Sequence, residues 1–371
     1  MSKNILLLIT VLLSGILHSP LFGQTITTVF GIGESGYQCF RIPSIISTTQ
    51  GTLLAFAEGR KNNCGDAGDI DLVLKRSFDN GATWTDLQLV WSDKENTCGN
   101  PAPVVDKRTG KILLLSTWNL GTDHEPAIID QKSIDTRRIF LLSSTDDGLT
   151  WTEPKEITSS VKLPEWTWYA TGPVNGIQLQ EGKHKGRLLI PCDHIEANTN
   201  KYYSHVIYSD NGGDDWKLGG STPDDKVNEC TIAELTKGNL LLNMRNYSPV
   251  RARKISMSND GGLSWATPVS DTSLIEPVCQ ASLIAIRNQK KKPVLAFSNP
   301  ADSKRRINMT IRFSYDLGTT WSKNVLVYAG PSAYSNLVYM GDGRLGLLYE
   351  AGEKSPYEGI FFSALKMPNA E

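Results

Sequence analysis

The sequence predicts an all-β chain, a six-bladed β-propeller of four-stranded antiparallel sheets, and two independent repeats predict it. The first is the octapeptide Ser-x-Asp-x-Gly-x-Thr-Trp, present as Ser77–Trp84 (SFDNGATW). It returns at Ser144–Trp151, Ser258–Trp265 and Ser314–Trp321, with a degenerate copy at Ser209–Trp216 that carries Asn211 and Asp215 in place of Asp and Thr. In chain order the copies begin 67, 65, 49 and 56 residues apart. The second repeat is a Gly leading an apolar stretch, at Gly51, Gly110, Gly186, Gly238 and Gly343, with Lys292-Pro293 in the remaining place. No long amphipathic helical period interrupts either series.

Each glycine of the second series reads as the turn of a hairpin between an upstream apolar segment, such as Pro43 to Ser47, and the strand after it. Each octapeptide reads as a later turn, its Asp capping backbone N–H groups and its Trp packing between sheets. A hairpin plus a box turn at near-constant spacing makes one four-stranded unit, and six hairpin copies set the number of units.

Ahead of the first hairpin lies Lys3 and the apolar run Ile5 to Leu17, thirteen residues that are too few to span a bilayer. With the Gly23-Gln24 junction, residues 1–23 read as a secretory signal peptide. Residues 24–371 are then expected as a single domain, a monomer exported to a periplasm or beyond, with no membrane span. The 38 basic and 39 acidic residues nearly cancel, so nucleic acid is not expected as a partner. Six scattered cysteines without a Cys-x-x-Cys pair read mostly as small buried residues, though export would permit disulfides. The histidines show no metal spacing, and no metal or cofactor is expected.

Residues equally far from a hairpin turn lie at the same end of a sheet. Arg41 and Arg60 flank Gly51, Glu229 and Arg245 flank Gly238, and Tyr334 and Glu350 flank Gly343, each seven to ten residues away. At 3.3 Å per residue, roughly 25 to 30 Å from their turns, these six share one rim. Arg305 and Arg306 follow the fifth hairpin strand, and one of them completes the cluster. Clustered arginines repel unless an anion holds them, and the guanidinium fork fits a planar carboxylate. The expected ligand therefore carries a fixed carboxylate.

Phe40-Arg41-Ile42-Pro43, ahead of the first box, resembles the Phe-Arg-Ile-Pro motif of exo-α-sialidases of the bacterial and animal type. The likeness covers essentially the whole mature chain. Leu54 to Arg60 leading into Gly65-Asp66-Ala67-Gly68 resembles that family's acid/base region, Asn228-Glu229-Cys230 its glutamate segment and Asn243-Met244-Arg245 its second arginine. Ser298-Asn299-Pro300 with Arg306-Ile307-Asn308 resembles its third-arginine segment, and Ala333-Tyr334-Ser335 its tyrosine segment. The resemblance implies hydrolysis of terminal sialic acid from sialylated glycoconjugates, with Tyr334 as nucleophile, Glu229 as its base and Asp66 as acid/base. Glu234, Asp69, Asp71 and Arg305 are the rivals of Glu229, Asp66 and Arg306.

Chemistry points the same way. In a sialoside the carboxylate sits on the anomeric carbon, so a neutral tyrosine avoids the repulsion a carboxylate nucleophile would meet. Ordinary pKa values near 10 and 4.3 make full transfer of the tyrosine proton to a glutamate uphill by about 8 kcal/mol, so transfer is expected to be concerted with attack. Arg41, Arg60, Arg245, Arg306, Gln280 and Glu350 form the expected substrate-binding set, with Glu350 holding Arg41. Glu125, Asp193 and Tyr202, with Gln280, are placed in loops that could touch the glycerol or N-acetyl groups. Trp166, Trp168 and Tyr169 could form a rim platform for a sugar acceptor, which would make the chain a trans-sialidase; a non-catalytic carbohydrate-binding propeller is the other alternative.

Overall fold

The apolar stretches after the turn glycines are strands, and each pairs back across its turn. Cys39–Ser47 pairs with Leu53–Arg60, Thr97–Val105 with Ile112–Asn119, and Val227–Glu234 with Leu240–Asn246, all antiparallel. Ser282–Ile286 pairs with Val294–Pro300, and the second half of Lys323–Tyr339 with Leu345–Ala351. At Gly51 the backbone takes φ +89°, a region that a Cβ disfavours, so the tight connection from Ser47 to Leu53 needs glycine there. The third copy departs from this pattern. Its upstream strand is split into Trp166–Thr171 and Ile177–Gln178, both paired to Leu188–Glu196.

The computed structural model describes residues 26–287 and 292–368, and the predicted signal peptide, 1–23, lies outside the described residues. The chain is all-β, with successive runs of four antiparallel strands. Ile70–Ser77 and Gln88–Trp91 complete the first run, Arg138–Ser144 and Lys155–Glu156 the second, Tyr202–Ser209 and Lys217–Ser221 the third, and Ala252–Ser258 and Val269–Ile275 the fourth. Lys323–Tyr339 belongs to two runs, closing one beside Ile307–Ser314 and opening the next beside Leu345–Ala351. Among the described residues the helices are short, Glu125–Ile129 and Thr158–Val161 being the α-helical ones, and none is long and apolar enough to cross a membrane.

The core lies between runs. One layer packs Leu113, Leu115 and Ile139 against Trp166, Leu188 and Ile207, and the next packs Leu189 and Val206 against Val227, Leu240 and Leu242. A further layer joins Phe40, Leu53, Ala55 and Val73 to Leu348, Ile360 and Phe362, which brings the first run against the last. The seam is also hydrogen-bonded, because Ile26–Gly31 pairs with Gly359–Leu365 as the outermost strand of the last run. Packing thus returns on itself.

The octapeptide boxes are staples between runs. In the first, Ser77 Oγ donates to Asp79 Oδ1 (2.8 Å), while Thr83 N and Thr83 Oγ1 donate to the two Asp79 oxygens (2.9 and 2.6 Å). The degenerate box keeps this turn with one bond reversed: Asn211 Nδ2 donates to Asp215 Oδ2 (3.0 Å) where a Thr would donate to Asp. Trp84 meets Phe362 edge-on at 5.4 Å across the seam, and Trp151 meets Phe56 at 5.7 Å. A Cβ on Gly81 would come within 2.0 Å of Phe362, so the box glycine is fixed by close approach as well as by turn geometry. Phe362→Ala should therefore destabilise the protein by about 3–5 kcal/mol, read from chemical denaturation, and truncation after Glu350 should abolish folding. A truncated chain with wild-type melting behaviour would refute the closure.

Candidate active site

The inner strands do not reach the hub as regular hairpins. Register breaks between Arg41 and Ser44, between Gly99 and Ala102, between Val227 and Cys230, and between Ser332 and Ser335. Bulges of this kind re-aim side chains beside functional sites. Here they fall on the segments carrying Arg41, Asn100, Glu229 and Tyr334. At two of them a non-glycine residue is forced to positive φ, Ile42 at +59° and Asn100 at +54°.

Tyr334 stands at the centre of the resulting cleft. Its hydroxyl donates to Glu229 Oε1 at 2.5 Å, and Arg245 Nη1 donates to Glu229 Oε2 (2.6 Å) and to the Tyr334 hydroxyl oxygen (3.2 Å). The guanidinium carbons of Arg41 and Arg306 lie 5.1 and 5.7 Å from the Tyr334 ring centre, so three arginines converge on this one side chain. Burial first, and then the Glu229 carboxylate, push the phenol well above its ordinary value against the opposing pull of Arg245, Arg306 and Arg41. Tyr334 is a neutral phenol hydrogen-bonded to a carboxylate.

Glu350 is fully buried beneath the cleft and does not line it. Its carboxylate accepts from Arg41 Nε (3.1 Å) and Nη2 (3.3 Å), from Ile42 N (2.9 Å) and from Tyr334 N (3.1 Å). One group therefore fixes both the arginine fork and the backbone that presents the tyrosine. Arg306 donates to Tyr357 Oη (2.8 Å) and to the Val278 carbonyl (3.2 Å), and among the described residues it has no carboxylate partner. Arg305, its rival, is held through its backbone N–H by Asp302.

Asp66 sits opposite on the exposed connection between Leu53–Arg60 and Ile70–Ser77. Its Oδ1 accepts from Arg60 Nη1 at 2.8 Å and from Arg41 Nη1 at 3.3 Å. Partial desolvation against the cleft wall works to raise this carboxyl, although its side chain is 63% exposed, but Arg60 and Arg41 together hold it below the ordinary carboxylate range. Arg60 reaches the cleft wall, yet its Nε and Nη2 are bound to Glu58 (3.0 and 2.5 Å) and its Nη1 also takes the carbonyls of Cys64 and Gly65. Its side-chain bonds are thus taken by Glu58 and the Asp66 loop. A disulfide joins Cys64 in that loop to Cys39, while Cys98, Cys192, Cys230 and Cys279 are free and buried. Asp69 pairs with Lys61, and Asp71 accepts from Tyr37 Oη, both away from the cleft. Glu234 likewise caps the backbone N–H groups of Gln180 and Glu181.

Several sequence expectations are corrected here. Gln280 does not line the cleft: it is buried, donating to the carbonyls of Pro173 and Ser335 (3.0 and 2.9 Å) and accepting from Ser335 N (2.9 Å), which uses its amide to hold strands together. Tyr202 packs on Tyr247 outside the lining. Trp166 and Tyr169 are buried core residues, so of that aromatic trio only Trp168 faces the cleft, where Arg137 lies 4.0 Å from its ring centre. Glu125 and Asp193 do line it, Asp193 from within the strand Leu188–Glu196 rather than a loop. Burial raises both carboxyls, Asp193 strongly.

Glu58, Asn100, Arg137, Asn228, Tyr247 and Tyr357 also line the cleft and went unassigned in the sequence. Glu58 and Asn228 lie inside the segments that carry the resemblance, which was a usable signal. Arg137 and Tyr357 sit in connections with no motif.

The family profile of the BNR repeat-like domain matches residues 51–347. A sialidase of Bacteroides fragilis is 33% identical over 355 residues, covering 90% of this chain and 63% of the relative. A sialidase of Micromonospora viridifaciens is 32% identical over 332 residues, covering 86% and 51%, so the chain spans about half to two thirds of these relatives. Among solved structures, the Hadza microbial sialidase Hz136 superposes with a TM-score of 0.83 at 31% identity, covering 92% of this chain and 68% of that one.

Proposed function

Since this chain belongs to the sialidase family, we propose that it is an exo-α-sialidase that hydrolyses terminal α-ketosidically linked sialic acid from glycoproteins, glycolipids and oligosaccharides with net retention. The carrying observation is the Tyr334–Glu229 hydrogen bond set among three converging arginines. Arg41, Arg245 and Arg306 bind the substrate carboxylate. The Tyr334 oxygen attacks the anomeric carbon as its proton passes to Glu229, and Asp66 gives its proton to the departing glycosidic oxygen. Asp66 then takes a proton from water as that water attacks the same carbon, and Tyr334 leaves, recovering its proton from Glu229.

Asp66 must be protonated for the first step, yet Arg60 and Arg41 favour its ionised form in the free protein. A bound carboxylate competes for Arg41 and weakens that pull, so substrate itself raises the acid. Glu350 acts from beneath as a positioning residue for Arg41 and Tyr334.

The same reading covers the fold and its context. The strand runs number six when Lys323–Tyr339 is counted in two of them, which supports six propeller blades. Residues 24–371 form one catalytic domain, a monomer with glycan rather than nucleic-acid partners, and residues 1–23 direct export. The Cys39–Cys64 disulfide supports an oxidising compartment.

Purified protein should release sialic acid from α2,3-, α2,6- or α2,8-linked sialosides, with the α-anomer as the first product seen by proton NMR, and leave a neutral galactoside intact. Hydrolysis of the galactoside at a comparable rate would refute the carboxylate clamp, and β-anomer as first product would refute the double displacement.

A further inference from the structure

We infer that the Cys39–Cys64 disulfide is a positioning device for the general acid, covalently holding the Asp66 loop in the protonation state that its ion pairs cannot hold. The inference rests on the assignment of Asp66 as acid/base. The loop, residues 61–69, has no apolar anchor, and Asn62, Asn63, Gly65 and Asp66 are exposed. Its far half is pinned where Thr97 Oγ1 bonds both the N–H and the carbonyl of Gly68 (3.1 and 2.9 Å) and where Lys61 meets Asp69 (3.0 Å). Its tip, Cys64-Gly65-Asp66, is held by Arg60 Nη1, by Arg41 and by the disulfide.

Two of those ties are charge pairs to Asp66 Oδ1. They exist only while Asp66 is ionised, whereas donating a proton requires the neutral acid. In that state the Asp66 side chain loses its ionic attachment to both arginines at the moment it must stand against the glycosidic oxygen, and Arg60 keeps only its bonds to the Cys64 and Gly65 carbonyls (2.6 and 2.8 Å). The disulfide does not titrate. It ties the loop, two residues before Asp66, to a strand residue two before Arg41, so the acid and the carboxylate clamp share one covalent frame. Cys39 is fully buried, and its sulfur also lies 3.9 Å from the carbonyl of Tyr357, whose hydroxyl bonds Arg306.

The distinguishing readout is the dependence on leaving group. An aryl aglycone departs with little protonation, while an alkyl or sugar aglycone needs the acid, and kcat/KM reports the first displacement alone. In the Cys39→Ser, Cys64→Ser double variant, kcat/KM for a 4-nitrophenyl sialoside should fall less than about twofold, and that for 3′-sialyllactose at least about tenfold. Asp66→Asn should show the same contrast more strongly.

If the double variant fails to fold, wild-type protein treated with dithiothreitol gives the same comparison. The dithiol is oxidised to its cyclic disulfide as Cys39 and Cys64 take up two electrons and two protons, with near-UV circular dichroism confirming the fold and thiol alkylation counting the reduced cysteines. Equal losses on both substrates, or none on either, with Asp66→Asn still aglycone-dependent, would overturn the inference alone. An Asp66→Asn enzyme without aglycone dependence would overturn the acid assignment and this inference with it.

Discussion

Tyr334→Phe should fold, bind sialic acid and lose turnover by at least about 10³-fold. The substitution keeps the ring between Arg41 and Arg306 and removes only the hydroxyl, so the binding surface is preserved. Glu229 retains its bond to Arg245 Nη1 and is not left as an unpaired buried charge. Equilibrium binding of free sialic acid, followed by tryptophan fluorescence or calorimetry, should therefore change little while kcat collapses. A Phe variant with a tenth or more of wild-type kcat would remove the tyrosine from the chemistry.

A phenol as the proposed nucleophile has an electrostatic reason. A carboxylate nucleophile approaching to about 4 Å of the substrate's own carboxylate would meet a repulsion of about 4 kcal/mol at the effective dielectric of a protein site. In the proposed displacement Tyr334 enters neutral and passes its proton to Glu229 only as its oxygen bonds to carbon, and Arg245 Nη1 donates to both partners in the free protein. Burial holds the phenol well above its ordinary value, so a proposed attack by this oxygen needs its proton transfer to accompany bond formation. A 2,3-difluoro sialosyl fluoride should label the wild-type protein, since fluorine beside the anomeric centre slows both steps and fluoride departure restores the first. Peptide mapping should place the label on Tyr334. Label on Glu229 or Asp66 would make a carboxylate the nucleophile.

The sequence made Arg41, Glu229, Arg245 and Tyr334 legible because each is a strand-end residue whose hairpin turn is marked by a glycine in the same short segment. Glu229 lines the cleft while Glu234 caps the N–H groups of Gln180 and Glu181, and the register break between Val227 and Cys230 sits at Glu229 itself. What stayed hidden is set by partners far away in the chain: Glu229 lies 105 residues from Tyr334, and Glu350 lies 309 from Arg41. Counting residues from a turn assumes a regular ladder, and the bulges at Arg41–Ser44 and Ser332–Ser335 break it. Arg41 therefore faces Glu58 in register, and Arg60 faces Cys39, which turns Arg60 toward the Asp66 loop. Gln280 departs from its expected place for a related reason, because Pro173 from a connection and Ser335 from a strand of another run bring three backbone groups to one amide.

The arginines should separate by what else each one holds. Arg306 has a phenol and a carbonyl as partners and no carboxylate among the described residues, and the proposed substrate carboxylate would supply that counter-charge. Arg306→Lys keeps the charge and loses the fork, and forfeiting one charged hydrogen bond of about 1.5–3 kcal/mol should raise KM about 10- to 150-fold with melting temperature unchanged. Arg41 is different because two of its nitrogens are already bound to Glu350, which is fully buried. Arg41→Lys should weaken substrate as much and also lower stability, since a single ammonium cannot replace the two-nitrogen pairing that neutralises a carboxylate closed to water. Steady-state kinetics with thermal denaturation on both variants decides the matter. Equal stability losses would mean that Arg306 is a structural cation, and an unchanged KM in Arg306→Lys with a raised one in Arg305→Lys would transfer the ligand contact to its neighbour.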